Sequence, residues 1–174
     1  MLRVPRSEDG DVVDDLLAGF ERMGRCLLLV EDVQWMDEDS QRTIWQVVRR
    51  ATELVRKLRP DLEVDGDHDR LGQVFSNLIG NALMHGDPNE PVRIALVRDG
   101  ENLVFRTVNM GDTIPPEAME QLFQPFSRGE VRSSLQGLGL GLYISAQIAA
   151  AHDGTLSAVS ANGKTTFTFE LPPV

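Results

Sequence analysis

Little in this chain of 174 residues points to redox or metal-centred chemistry. Its single cysteine, Cys26, excludes an internal disulfide framework and a cysteine-based zinc site. The three histidines, His68, His85 and His152, show no ligand spacing. No apolar run approaches the ~20 residues needed to cross a bilayer, and the opening MLRVPRSEDG has no apolar core of a signal peptide. A soluble, cytoplasmic protein without a membrane segment is therefore expected. A basic surplus is missing too. Net charge is −10, and both parts of the chain contribute: 15 acidic against 10 basic side chains in residues 1–66, 12 against 7 in residues 67–174. Neither part offers a footprint for nucleic acid or an anionic membrane. An anionic ligand would need local geometry and a cation to hold it. What remains is ordinary globular composition, 41% hydrophobic and 25% charged, in a length suited to one domain plus an appendage.

The most informative stretch is Asp69 to Gly86. Leu71, Val74, Phe75, Leu78, Ile79, Ala82 and Leu83 recur at helical spacing and predict a helix with one buried face. Burying all seven is worth on the order of 10 kcal/mol or more, an upper bound from area bookkeeping. A second stripe, Gln73, Asn77, Asn81 and His85, falls four residues apart along one edge. Asparagine amides compete with the backbone for partners, so two in register inside a core helix suggest a shared ligand.

Taken in order, residues 11–23 and 39–58 read as amphipathic helices, the second stopped by Pro60. Cys26 to Val30 is a short apolar run ending in Glu31-Asp32, a strand-like pattern similar to the second nucleotide motif of P-loop ATPases and, more faintly, to a receiver's first strand. A complete P-loop is excluded: Ala158 stands where the first glycine before Gly163-Lys164-Thr165 would be needed. A domain boundary is expected near residue 60, followed by a short strand and turn at 61–66. Val92 to Leu96 and Leu103 to Val108 alternate as a hairpin around Arg98-Asp99-Gly100. A turn-rich loop, Asn109 to Pro116, opens a helix running to Phe123. Residues 127–136 show no apolar period and read as a mobile segment. Gly137, Gly139 and Gly141 alternate into a helix through Ala151, a pattern that brings backbone N–H groups to an anion. Two closing strands, Thr155 to Val159 and Thr165 to Leu171, flank Asn162-Gly163 as a hairpin turn.

Together these pieces resemble the ATP-binding catalytic domain of sensor histidine kinases, within the superfamily of gyrase, chaperone, kinase and mismatch-repair ATPases. Four motifs fall in the expected order: Q-V-F-S-N-L-I-G-N-A-L-M-H-G at 73–86, V-N-M-G-D-T-I-P at 108–115, L-F-Q-P-F-S-R-G at 122–129 and G-L-G-L-G-L-Y-I-S at 137–145. The resemblance covers residues 61–174 and implies an α+β fold. That fold is a two-layer sandwich of the Bergerat type, with a mixed, mainly antiparallel sheet on one side and about three helices on the other. A mostly helical segment, 1–60, would precede it. It implies ATP and Mg²⁺ as ligands, with Asn81 holding the metal. Asn77, Asn81 and Arg128 are the implied catalytic residues. The nucleotide would be held by Asn77, Asn81, His85, Asn109, Gly111, Ile114, Phe126, Gly137, Gly139, Leu140, Gly141 and Thr165. Asn109 stands where most such kinases place an aspartate facing the adenine amino group, and the N-x-G-x-x-I-P form resembles the phytochrome-type branch. Thr113 replaces a second glycine, and Met84 a common basic residue.

The resemblance further implies phosphotransfer to a histidine in a two-component system, with a response regulator downstream. The usual acceptor motif is missing, however: His68-Asp69-Arg70-Leu71 imitates it without the following proline. The expected partner is then a separate histidine-bearing dimerisation domain. Alternatives are a stand-alone ATP-binding regulatory module, a pseudokinase without phosphotransfer, or an anti-sigma-type serine kinase. The last places a glutamate where Asn77 stands.

Overall fold

The computed structural model describes residues 2–3, 25–30, 45–49, 51–53, 55, 65–125 and 140–173. Its centre is helix α1, Asp65–His85. The helix begins four residues before the first periodic apolar position suggests, so Asp65 and Gly66, expected in a turn, are helical. Asp65, Asp67 and Asp69 crowd its first turns, where the helix dipole favours negative charge. The strand expected just before it falls on residues 61–64, outside the described residues, as does the helix expected at 11–23. Residues 45–49, 51–53 and 55 are helical, as the stripe in 39–58 predicts.

Among the described residues the sheet has six strands: β1 (Leu2–Arg3), β2 (Arg25–Val30), β3 (Val92–Asp99), β4 (Asn102–Met110), β5 (Thr155–Ala161) and β6 (Lys164–Leu171). They are ordered β1-β2-β3-β4-β6-β5. Only β1 and β2 pair in parallel; every other neighbour is antiparallel, as the mixed, mainly antiparallel expectation requires. The apolar run Cys26 to Val30 is thus a strand, and it hydrogen-bonds to β3 across Arg25↔Val97 to Val30↔Val92. Two strands of the sheet therefore come from the first sixty residues. The β5–β6 turn is a two-residue one, with Asn162 and Gly163 both at positive φ (52° and 70°), the geometry that matches strand twist. Helices α2 (Pro116–Gln121) and α3 (Gly141–Ala151) complete the described helical elements.

The core lies between α1 and one face of the sheet. Leu71, Val74, Phe75, Leu78, Ile79 and Ala82 are all at most 1% exposed. They pack with Val92, Ile94 and Leu96 of β3, Leu103 and Phe105 of β4, Phe167, Phe169 and Leu171 of β6, and Ile148 and Ala149 of α3. Phe75 is the pivot: its ring centroid lies 4.3 Å from that of Phe105 and 6.1 Å, edge-on, from that of Phe169. Val48 and Val55 join the same cluster, so the helical residues before α1 dock on it.

Truncating Phe75 to alanine should cost about 3–5 kcal/mol of unfolding free energy, because the cavity sits between three rigid elements. Trp45, 63% exposed, should lose no more than about 0.5 kcal/mol when replaced by alanine. Urea denaturation of both variants checks the contrast.

Candidate nucleotide-binding site

Rotation of α1 about its buried stripe leaves Asn77 and Asn81 half-buried on its edge, with Gln73 and His85 exposed. Asn77 spans to α3. Its Nδ2 donates to the Gly141 carbonyl and to the Ser145 hydroxyl, each at 3.0 Å, and Ser145 in turn donates to the same carbonyl at 2.8 Å. Ser145 is fully buried, while Asn77 and Gly141 are half-buried, so the triangle closes on its Ser145 side. One turn on, Asn81 donates from Nδ2 to the Asn77 backbone carbonyl at 2.9 Å. That bond fixes the amide and leaves Oδ1, among the described residues, as an uncommitted acceptor. Leu140 is the N-cap of α3 and Gly141 its first residue; the Leu140 carbonyl accepts the Ile144 N–H at 2.8 Å.

At the C-terminal end of α1, desolvation of the His85 ring lowers its pKa from the ordinary 6.5, although the residue keeps a solvent-facing side. The chain then turns, and the Asp87 N–H donates to the Met110 carbonyl at 2.7 Å. Just past the end of β4, Gly111 has φ 154°, and an added Cβ there would stand 2.8 Å from the His85 carbonyl oxygen. Only glycine fits that approach.

The loop after β4 is held by the β5–β6 hairpin. The Gly111 N–H donates to the Gly163 carbonyl (2.9 Å), the Gly163 N–H to Thr113 Oγ1 (3.0 Å), and the Ile114 N–H to Ser160 Oγ (2.9 Å). Ser160 and Thr165, directly opposed across the hairpin, share a 2.8 Å hydroxyl–hydroxyl bond. Thr165 is in turn opposite Asn109. Asn109 is 4% exposed, yet its single side-chain hydrogen bond among the described residues is a long one, Nδ2 to the Met110 carbonyl at 3.4 Å. Two residues back on the same face, Thr107 is fully buried and its hydroxyl has no partner among the described residues. Buried polar groups are normally paired, so an orphan hydroxyl beside an under-bonded amide fits a place built for a polar ligand.

The structure therefore gathers Asn77, Asn81 and Gly141 around one tie between helices, with Leu140 adjoining. It gathers Asn109, Gly111, Ile114 and Thr165 around the hairpin, and the close approach of Gly111 to His85 joins the two groups. Phe126, Arg128, Gly137 and Gly139 lie outside the described residues. Sequence reasoning missed Ser145 and Ser160. Ser145 stands one turn before the apolar Ile148 and Ala149, on their face of the helix, and that placement could have flagged the first. The two-residue Asn162-Gly163 turn fixes the register that puts Ser160 opposite Thr165, and so could have flagged the second. No cluster of histidine, cysteine and carboxylate groups suited to a metal occurs among the described residues, and none of their helices is long and apolar enough to cross a membrane.

Residues 66–174 match the family model described as histidine kinase-, DNA gyrase B- and HSP90-like ATPase. The chain belongs to this ATP-binding family, and sensor histidine kinases are among the proteins it is similar to. A bacteriophytochrome of Pseudomonas aeruginosa is 36% identical over an alignment that takes in 89% of this chain and 24% of that protein. Sensor histidine kinase TrcS of Mycobacterium tuberculosis is 40% identical over 64% of this chain and 23% of its own length. Among solved structures, the mycobacterial sensor histidine kinase MprB superposes with a TM-score of 0.58 at 29% identity, covering 74% of this chain and 96% of that one. The chain thus spans about a quarter of the length of the curated relatives it matches.

Two outcomes follow from this geometry. Ser145→Ala should cost about 1 kcal/mol, the worth of a buried hydrogen bond, and should shift the Asn77 side-chain amide resonances. His85, with its folded pKa below the unfolded value, contributes stability that is intact above 6.5 and lost as pH falls through the folded pKa. Denaturation between about pH 7.5 and about pH 5.5 should therefore show a shallower acid-side loss in His85→Asn than in the wild type.

Proposed function

We propose that residues 61–174 bind Mg-ATP and donate its γ-phosphate to a histidine carried on a separate dimerisation domain, from which a response regulator would draw it. The observation that carries this reading is the division of labour on one edge of α1. Asn77 is consumed in tying α1 to the start of α3, while Asn81, fixed by its own Nδ2 bond, keeps an oxygen to offer. A hard cation that prefers oxygen ligands and keeps several waters suits that single amide oxygen. Mg²⁺ there would offset phosphate charge, which the chain's net charge of −10 cannot do. The under-bonded Asn109, the orphan hydroxyl of Thr107 and Thr165 supply the polar end for the base, and Gly141 and Leu140 supply backbone at the N-terminus of α3 for the phosphates. Phe126, Arg128, Gly137 and Gly139 complete the assignment from sequence alone.

Two observations weigh against the neighbouring chemistries. A hydrolase or serine kinase of this fold needs a carboxylate base one turn before Asn81; Asn77 occupies that place, and it donates two hydrogen bonds that no carboxylate could make. The histidines do not substitute for an acceptor domain. His68 and His85 belong to α1 itself, and the Nδ1 of His152 lies 2.8 Å from the Ile148 carbonyl at the end of α3. A stand-alone regulatory module that binds ATP without transfer is the second reading, favoured by the placement of these three histidines.

Calorimetry should show Asn81→Ala weakening ATP binding more with Mg²⁺ than without it, and Asn109→Ala costing about 1–3 kcal/mol in either condition. Unchanged affinity in both variants would remove the site assignment. With labelled ATP, the chain alone should acquire no acid-labile phosphate, whereas a supplied histidine-bearing helical partner should. Binding without any transfer to such a partner would favour the regulatory module.

A further inference from the structure

We infer that the base end of this site reads both polarities of a purine edge, so that the chain takes 6-oxopurine triphosphates, inosine triphosphate above all, alongside ATP. The inference rests on the nucleotide reading above. Adenine presents a donor at its 6-amino group and an acceptor at N1. Hypoxanthine has the same outline with the pattern reversed, an acceptor at O6 and a donor at N1. A carboxylate facing this edge accepts only, and so admits the first base and rejects the second.

The groups present here have no fixed polarity. Asn109 is buried and neutral, and its amide offers one acceptor and two donors. Its single bond among the described residues, at 3.4 Å, is at the outer limit of a hydrogen bond, so exchanging Oδ1 and Nδ2 forfeits little. Thr165, opposite Asn109, is equally reversible. In its 2.8 Å contact with Ser160 either hydroxyl can donate, while Ser160 Oγ already accepts from the Ile114 N–H. When Ser160 donates, the Thr165 proton is available to a base; when Thr165 donates, it turns a lone pair instead. The carboxylates nearest in the chain do not break the symmetry. Asp87 and Asp112 are exposed, and Asp87 Oδ1 is engaged by the Asn89 backbone N–H and Nδ2 at 2.9 and 3.1 Å. Guanine would present the same edge as hypoxanthine but adds a 2-amino group to be housed, so inosine triphosphate is the cleaner probe.

The test is calorimetric titration of the whole chain, with Mg²⁺, against ATP, inosine triphosphate and uridine triphosphate. The wild type should bind ATP and inosine triphosphate within about tenfold of each other and uridine triphosphate much more weakly. Asn109→Asp should widen the preference for ATP to about a hundredfold or more, through loss of inosine triphosphate, since a site of one polarity rejects the reversed edge strongly. A wild type that rejects inosine triphosphate by about a hundredfold or more overturns the inference and leaves the nucleotide reading standing. Equal binding of all three nucleotides also overturns it, because the base is then not read. Binding of none overturns both. Should Asn109→Asp fail to fold, the wild-type ratio decides alone, and Thr165→Val, expected to weaken ATP and inosine triphosphate alike, supplies the independent check.

Discussion

Helix α1 has only one orientation in which its apolar stripe can be covered, and the site inherits its aim from that constraint. Side chains on a helix advance by about 100° per residue. Turning α1 by a single position would drive Asn77 or Asn81 toward Phe105 and Phe169 and lift Phe75 out. Burial of Leu71 to Ala82 therefore acts as the alignment device for two amides that contribute little to the core themselves. The aromatic contacts of Phe75 with strands β4 and β6 matter in the same way: those strands carry Asn109 and Thr165. One packing event sets the spacing between the two polar halves of the site.

The chemistry of that site is neutral wherever the structure describes it. On the proposed assignment, amide, hydroxyl and backbone groups would do the recognising in a chain that is acidic in both parts. Such groups choose by shape and hydrogen-bond pattern and are affected little by salt, in contrast to a site built on lysine and arginine. The part-buried triangle of Asn77, Ser145 and Gly141 shows the same economy. Three uncharged groups lock two helices together without the desolvation cost that an ion pair would carry there.

Local periodicity made much of this legible. The stripe of α1, the β3–β4 hairpin, the Asn162-Gly163 turn and the helix after the glycines all follow from residues within a few positions of one another. The polar edge was legible for the same reason, since i and i+4 are neighbours on any helix. What escaped depended on partners far along the chain. Nothing within Cys26 to Val30 says that β3 is its neighbour, and Ser145 acquires its role only because Asn77, 68 residues earlier, ends within 3.0 Å of it. The start of α1 was misjudged because its first turn is acidic and carries no apolar period, so only the end of the stripe, not the end of the helix, could be seen. Thr113, which stands in the place of a second glycine, accepts the Gly163 N–H through its hydroxyl, a role that only the hairpin partner reveals.

That last bond bears on what binding costs. Residues 111–115 form no regular structure, and a loop of that kind ordinarily gives up conformational entropy when it closes on a ligand. Here three separate hydrogen bonds, at Gly111, Thr113 and Ile114, already clamp it to the turn and strand of the β5–β6 hairpin. The ordering has been done during folding, at the expense of the protein's own stability, and does not recur with each nucleotide that arrives. On the proposed assignment, the base would therefore meet a preorganised wall.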